Sequence, residues 1–138
     1  MEALGARLGR ACAGGGILYL VGDLGTGKTT LVRAMLRVLG HQGPVRSPTF
    51  TLLEPYACGA LRVYHLDLYR VGDPEELELI GLRDYVEPGV LCVVEWPERG
   101  AGYLPAPDVL VRIEFEGDGR RLWLEAASPR GDGILDLT

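Results

Sequence analysis

The chain has 138 residues, 47% of them hydrophobic, and a formal net charge of −5. That length supports one hydrophobic core rather than two. No apolar run approaches the ~20 residues of a membrane span, and an acidic chain lacks the basic surplus from which sequence-independent nucleic-acid binding draws its affinity. Neither a membrane nor DNA is expected as a partner. Cys12, Cys58 and Cys92 are odd in number and form no CxxC pair, which points to reduced thiols in a cytoplasm. The N-terminal stretch has no apolar segment of signal-peptide type.

Along the chain, Leu4, Leu8 and Ala11 or Cys12 recur at helical spacing, which predicts a short amphipathic helix over 3–13. "GILYLV" then reads as a buried strand ending before Gly22. From Lys28 onward, Leu31, Val32, Met35, Leu36 and Leu39 follow a 3.6-residue period up to Gly40, giving a second helix. "TFTLLEPYA" and "LRVYHLDLY" read as a hairpin turning near Cys58 and Gly59. "DPEELELIGL" predicts a short acidic helix with Asp73 as its cap and Pro74 at its first position. "VLCVVEW" is apolar up to its carboxylate and reads as a central parallel strand. "DVLVRIEFEG" and "RRLWLEA" alternate around "GDGR" as a second hairpin. The expected architecture is a three-layer α/β fold of P-loop NTPase type, with a mixed sheet, parallel at its centre and carrying an antiparallel edge hairpin. One domain is expected over residues 1–127, with 128–138 a loose tail in which Arg-Gly-Asp is a chance triplet.

One stretch carries most of the chemistry. "GDLGTGKT" fits G-x-x-x-x-G-K-[ST] at Gly22, Gly27, Lys28 and Thr29, between a predicted strand and a predicted helix. Glycines let successive amides turn toward an anion, and the helix adds its positive end. Lys28 is the sole lysine, against thirteen arginines; a slender ammonium reaches β- and γ-phosphates where a planar guanidinium would not fit. Thr29 is expected to ligate Mg²⁺. Five of the six threonines and one of the two serines (Ser47) fall between residues 26 and 51. Thr49, after Pro48, is expected in a switch loop sensing the γ-phosphate; Thr51 is equally well an ordinary strand residue. Two carboxylates, Asp67 and Glu95, stand at strand ends, where ligands bind in open α/β sheets. One is expected to hold Mg²⁺ and the other to orient the attacking water, although a salt bridge to Arg70 also accounts for Asp67. His65 shares a strand face with Asp67, as a functional or a merely satisfied histidine. Trp96 either walls a nucleotide pocket, meets a partner or packs in the core.

Taken together, "GDLGTGKTT", "SPTFTL", Tyr56, "HLDLYR" and "VEWPE" resemble the TsaE (YjeE) family in order and spacing, from about Leu4 to Ala126. The resemblance implies a bacterial cytoplasmic P-loop ATPase of tRNA threonylcarbamoyladenosine (t6A) synthesis. Such a protein acts with the TsaB–TsaD complex, touches tRNA only indirectly, and has low intrinsic activity that depends on its partners. It implies ATP phosphates on Leu24, Gly25, Thr26, Gly27, Lys28 and Thr29, with Mg²⁺ near Thr29 and Glu95; Asp23 and Thr30, on either side, are expected in the same nucleotide-binding site. It further implies that Asp67 serves turnover, that Thr49 is the switch threonine and that Trp96 matches the family tryptophan. Arg120 or Arg121, near the late hairpin, is a further expected nucleotide contact. A GTPase of the N-K-x-D type is excluded because the chain has no asparagine. A small-molecule kinase needs an acceptor pocket and commonly a mobile lid, for which the chain after Glu95 has little room. A nucleotide-gated adaptor that does not hydrolyse is the remaining alternative.

Overall fold

The computed structural model describes residues 1–46, 48, 52–79, 81 and 87–138. Ser47 and Thr49 to Thr51, including the proposed switch threonine, lie outside the described residues. The elements run α1 (Glu2–Ala11), β1 (Gly16–Val21), α2 (Lys28–Val38), β2 (Leu53–Cys58), β3 (Leu61–Asp67), α3 (Glu76–Leu79), β4 (Val90–Glu95), β5 (Val109–Glu116), β6 (Gly119–Ala126) and α4 (Pro129–Leu137). A 3₁₀ turn, Pro97–Gly100, follows β4.

The six strands form one sheet in the order β2-β3-β4-β1-β5-β6. The four central strands are parallel, and β2 and β6 pair antiparallel with β3 and β5, so a hairpin closes each edge. All six residues of β4 are buried, which is why its sequence shows no polar alternation until Glu95. Leu18, Leu20, Val63, Leu91, Val93 and Val111 face Leu8 of α1, Leu31 and Met35 of α2 and Ile134 of α4. Leu66 and Val94 face the other way, against Leu68, Val71 and Leu77. The three layers are thus helices, sheet, and the irregular segments around α3. Burial pushes the thiols up, Cys12 to about 12 with help from the Asp108 carboxylate, and Cys92 to about 11. Both therefore stay protonated packing groups.

Two local expectations change. The acidic helix begins at Glu76 rather than Pro74: Asp73 Oδ1 accepts the Glu75 N–H at 3.0 Å, and the next three turns bond i to i+3. More substantially, residues 128–138 are no loose tail. Ser128 caps α4, its Oγ accepting the Gly131 N–H at 3.0 Å and donating to Asp108 Oδ1 at 2.6 Å. Asp108 Oδ2 accepts the Ile17 N–H, so one carboxylate ties α4 to the start of β1. Ile134 seats the helix in the core. Replacing Ser128 with alanine is expected to lower stability by about 1 kcal/mol, read as a drop in melting temperature with nucleotide affinity unchanged.

Candidate functional site

Parallel strands carry β1, β3 and β4 to the same sheet end. There β1 runs into the segment 22–27, and α2 begins at Lys28. Gly25 (φ 80°) and Gly27 (φ 108°) sit in the left-handed region, where a side chain would strain the backbone. Thr26, 1% exposed, turns inward and its Oγ1 donates to the Asp23 carbonyl at 2.8 Å. Leu24 lies at the open tip. The loop therefore holds a curled shape by its own bonds.

Lys28 reaches back under this loop. It is 5% exposed, its Nζ donates to the Gly22 carbonyl at 2.5 Å, and it lies 4.1 Å from the Trp96 ring centroid. Burial lowers its pKa, and the carboxylates of Glu95, Asp67, Glu98 and Asp23 pull against that shift. An ammonium held dry and set among carboxylates is poised for an anion richer in charge than any of them. Trp96 adopts a left-handed conformation (φ 58°) directly after β4. That strained turn brings its ring to Lys28 and, tilted at 52°, to Tyr69.

Asp67 and Glu95 are register partners at the ends of β3 and β4. Leu61, Val63, Leu91 and Val93 of the same strand faces pack toward α2, so strand alternation puts both carboxylates on the side where α2 begins. Asp67 Oδ1 accepts the Tyr69 N–H at 3.0 Å; burial raises its pKa, the Tyr69 bond partly offsetting. Glu95 is 3% exposed and its Oε2 meets His65 Nε2 at 2.5 Å. His65 is fully buried and its Nδ1 has no partner among the described residues. The sequence left His65 open between two roles; the fold makes it the rest on which Glu95 sits.

Thr29 and Thr30 open α2 half-buried, and Thr30 lines a groove between α1 and α2 with Glu2, Ala6, Arg33 and Arg37. A cavity of about 480 Å³ lies beside the loop, walled by Gly22, Asp23, Trp96, Glu98, Arg112 and Phe115 among others. Arg120 is not in that wall. Its Nε donates to the Thr26 carbonyl at 3.1 Å and its Nη2 to that of Gly25 at 3.4 Å. Arg121 pairs with Glu116 at 2.9 Å in solvent. Among the described residues no three His, Cys, Asp or Glu side chains cluster as a metal cage. The oxygen donors at hand (Thr29, Asp67, Glu95) suit a hard cation that takes its remaining ligands from phosphate and water. No described helix is long and apolar enough to cross a membrane.

A sequence model of the family described as "Threonylcarbamoyl adenosine biosynthesis protein TsaE" matches residues 1–122. The chain belongs to this family. A TsaE relative in Haemophilus influenzae is 50% identical over 119 residues, spanning 86% of this chain and 75% of its own length. Another in Nostoc is 40% identical over 123 residues, 86% of this chain and 74% of that one. The Treponema pallidum relative is 39% identical over 117 residues, 85% and 86% respectively. All three are named as tRNA threonylcarbamoyladenosine biosynthesis proteins. The crystal structure of YdiB from Bacillus subtilis superposes with a TM-score of 0.79 at 33% identity, over 98% of this chain and 84% of that one. This TsaE fold is the mixed α/β architecture expected from the sequence.

Proposed function

We propose that the chain binds ATP with Mg²⁺ on residues 23–30 and hydrolyses it as the ATPase of t6A synthesis, acting with TsaB–TsaD in the cytoplasm and meeting tRNA only indirectly. The observation that carries this reading is the buried Lys28 ammonium beneath a curled glycine loop, facing two carboxylates on neighbouring strand ends. Loop amides and the start of α2 would receive the phosphates, and Lys28 would exchange the Gly22 carbonyl for β- and γ-oxygens. Trp96 would close that side of the site.

Thr29 and Glu95 would hold Mg²⁺, with Asp67 near enough to share it. Bound there, the ion would neutralise charge on the transferred phosphoryl group. Because His65 occupies Oε2 of Glu95, the other oxygen is directed by the protein rather than by solvent. Asp67, made more basic by partial burial, is suited to hold the attacking water by its unbonded oxygen. Thr49, the proposed switch residue, would report the γ-phosphate to the partners.

Phosphate release with ATP and with GTP, alone and with TsaB and TsaD, tests this. Slow release from ATP, accelerated by the partner complex, is expected. Transfer to a small-molecule acceptor would favour a kinase, and binding without release an adaptor.

A further inference from the structure

Arg120 was expected as a nucleotide contact; among the described residues it bonds the late hairpin and the glycine loop. It stands opposite Phe115 in the β5–β6 ladder, and that register lays its guanidinium over the Phe115 ring, 4.3 Å from the centroid. Its Nη1 is anchored on the adjoining Gly119 carbonyl at 3.0 Å. Nε and Nη2 are left to fork onto the carbonyls of Thr26 and Gly25. In a trans peptide unit the C=O and N–H point in opposite directions. A guanidinium that holds the Gly25 and Thr26 carbonyls therefore turns the N–H groups of Thr26 and Gly27 the opposite way; the Asp23 carbonyl takes the Thr26 N–H at 3.3 Å, and the Gly27 N–H remains for a ligand. Its charge also polarises both units, making the Gly27 amide a better donor.

We propose that Arg120 is a positioning residue for the phosphate loop: clamped on Phe115, it holds two loop carbonyls and so aims the Gly27 amide at a polyphosphate. The proposal rests on the reading of residues 23–30 as the nucleotide site. It makes the edge hairpin, which lies almost a hundred residues further along the chain, part of the binding apparatus. The ligand feature recognised through Arg120 is the phosphate chain itself, with neither base nor sugar involved.

The test compares the full-length chain with Arg120→Ala, Arg120→Lys and Phe115→Ala. Calorimetric affinities are measured for ATP, ADP and inorganic tripolyphosphate with Mg²⁺, together with amide hydrogen exchange over residues 22–30 in the free protein. Arg120→Ala is expected to weaken all three ligands by about tenfold, the scale of one lost charge-assisted hydrogen bond, and to speed exchange of the loop amides. In steady-state hydrolysis the loss should fall on KM more than on kcat. Arg120→Lys, a point charge on one carbonyl, should recover part of the affinity, and Phe115→Ala should reproduce part of the loss. A loss confined to ATP would mean a direct γ-phosphate contact, and one sparing tripolyphosphate a contact to base or sugar; either overturns the proposal. Unchanged exchange and affinity in Arg120→Ala would do the same. If the unaltered chain binds none of the three, the nucleotide reading itself falls, a result separable from failure of the Arg120 arm alone.

Discussion

Replacing Lys28 with alanine is expected to weaken ATP by about a hundredfold or beyond detection, the upper end of what a charge-assisted hydrogen bond contributes. The ammonium already lies beneath the loop, held by the Gly22 carbonyl and the face of Trp96. Burial makes that charge costly in the free protein, and the sign of its titration follows. Since folding lowers the Lys28 pKa, its charged form burdens the fold at pH values below that lowered pKa, and the burden is relieved as pH rises through it. A polyphosphate favours the charged form, so ATP affinity should decline over the same rise in pH. Removing the ammonium relieves the free protein of a desolvated charge, and the melting temperature without nucleotide should move by only a few degrees. What should vanish is the rise in melting temperature on adding ATP, which in an intact site amounts to about 2.7 kcal/mol at a hundred times Kd. Calorimetry showing unchanged affinity would contradict this role for Lys28.

Glu95→Gln should separate binding from chemistry. The substitution keeps the volume of a side chain that is almost completely buried and leaves an oxygen to meet His65. It removes the negative charge that we assign to the metal. ATP is expected to bind within a few-fold of the unaltered protein, while single-turnover hydrolysis falls by about a hundredfold or more, the lower range for loss of a positioned charged group. Undiminished turnover would remove Glu95 from the mechanism and shift its task to Asp67. Conversely, loss of ATP binding and hydrolysis together would show that the Glu95–His65 pair builds the site rather than serving the reaction.

Much of this arrangement was legible in the chain. "GILYLV" before the glycines and the 3.6-residue period after Lys28 announce strand, loop and helix, because a buried strand and an amphipathic helix leave different periodicities. Val90–Glu95 likewise reads as a central strand from its unbroken apolar run. The tail was misread for a physical reason. Two glycines in "SPRGDG" argue against a helix, yet Ser128 and Pro129 are a helix start signal. The decision came from tertiary terms no local window contains: the Asp108 clasp and the seat of Ile134 in the core.

The site divides in the same way. Asp67 and Glu95 could be paired from sequence because each ends an apolar strand, whereas the support beneath Glu95 needed strand order to place His65 beside it. The meeting of Lys28 with Trp96 depends on a left-handed residue at position 96, a conformation that a tryptophan does not advertise. Arg120 is the extreme case. Its charge suggests a nucleotide contact, and the β5–β6 register, with Phe115 opposite, adds what the guanidinium holds within the protein.

The most direct test is a crystal structure of the chain with magnesium and a non-hydrolysable ATP analogue. The β- and γ-phosphates are expected within hydrogen-bond distance of the Gly25–Thr29 amides and Lys28 Nζ, with the metal beside Thr29 and Glu95. An analogue bound elsewhere while Lys28 stays on the Gly22 carbonyl would contradict the account.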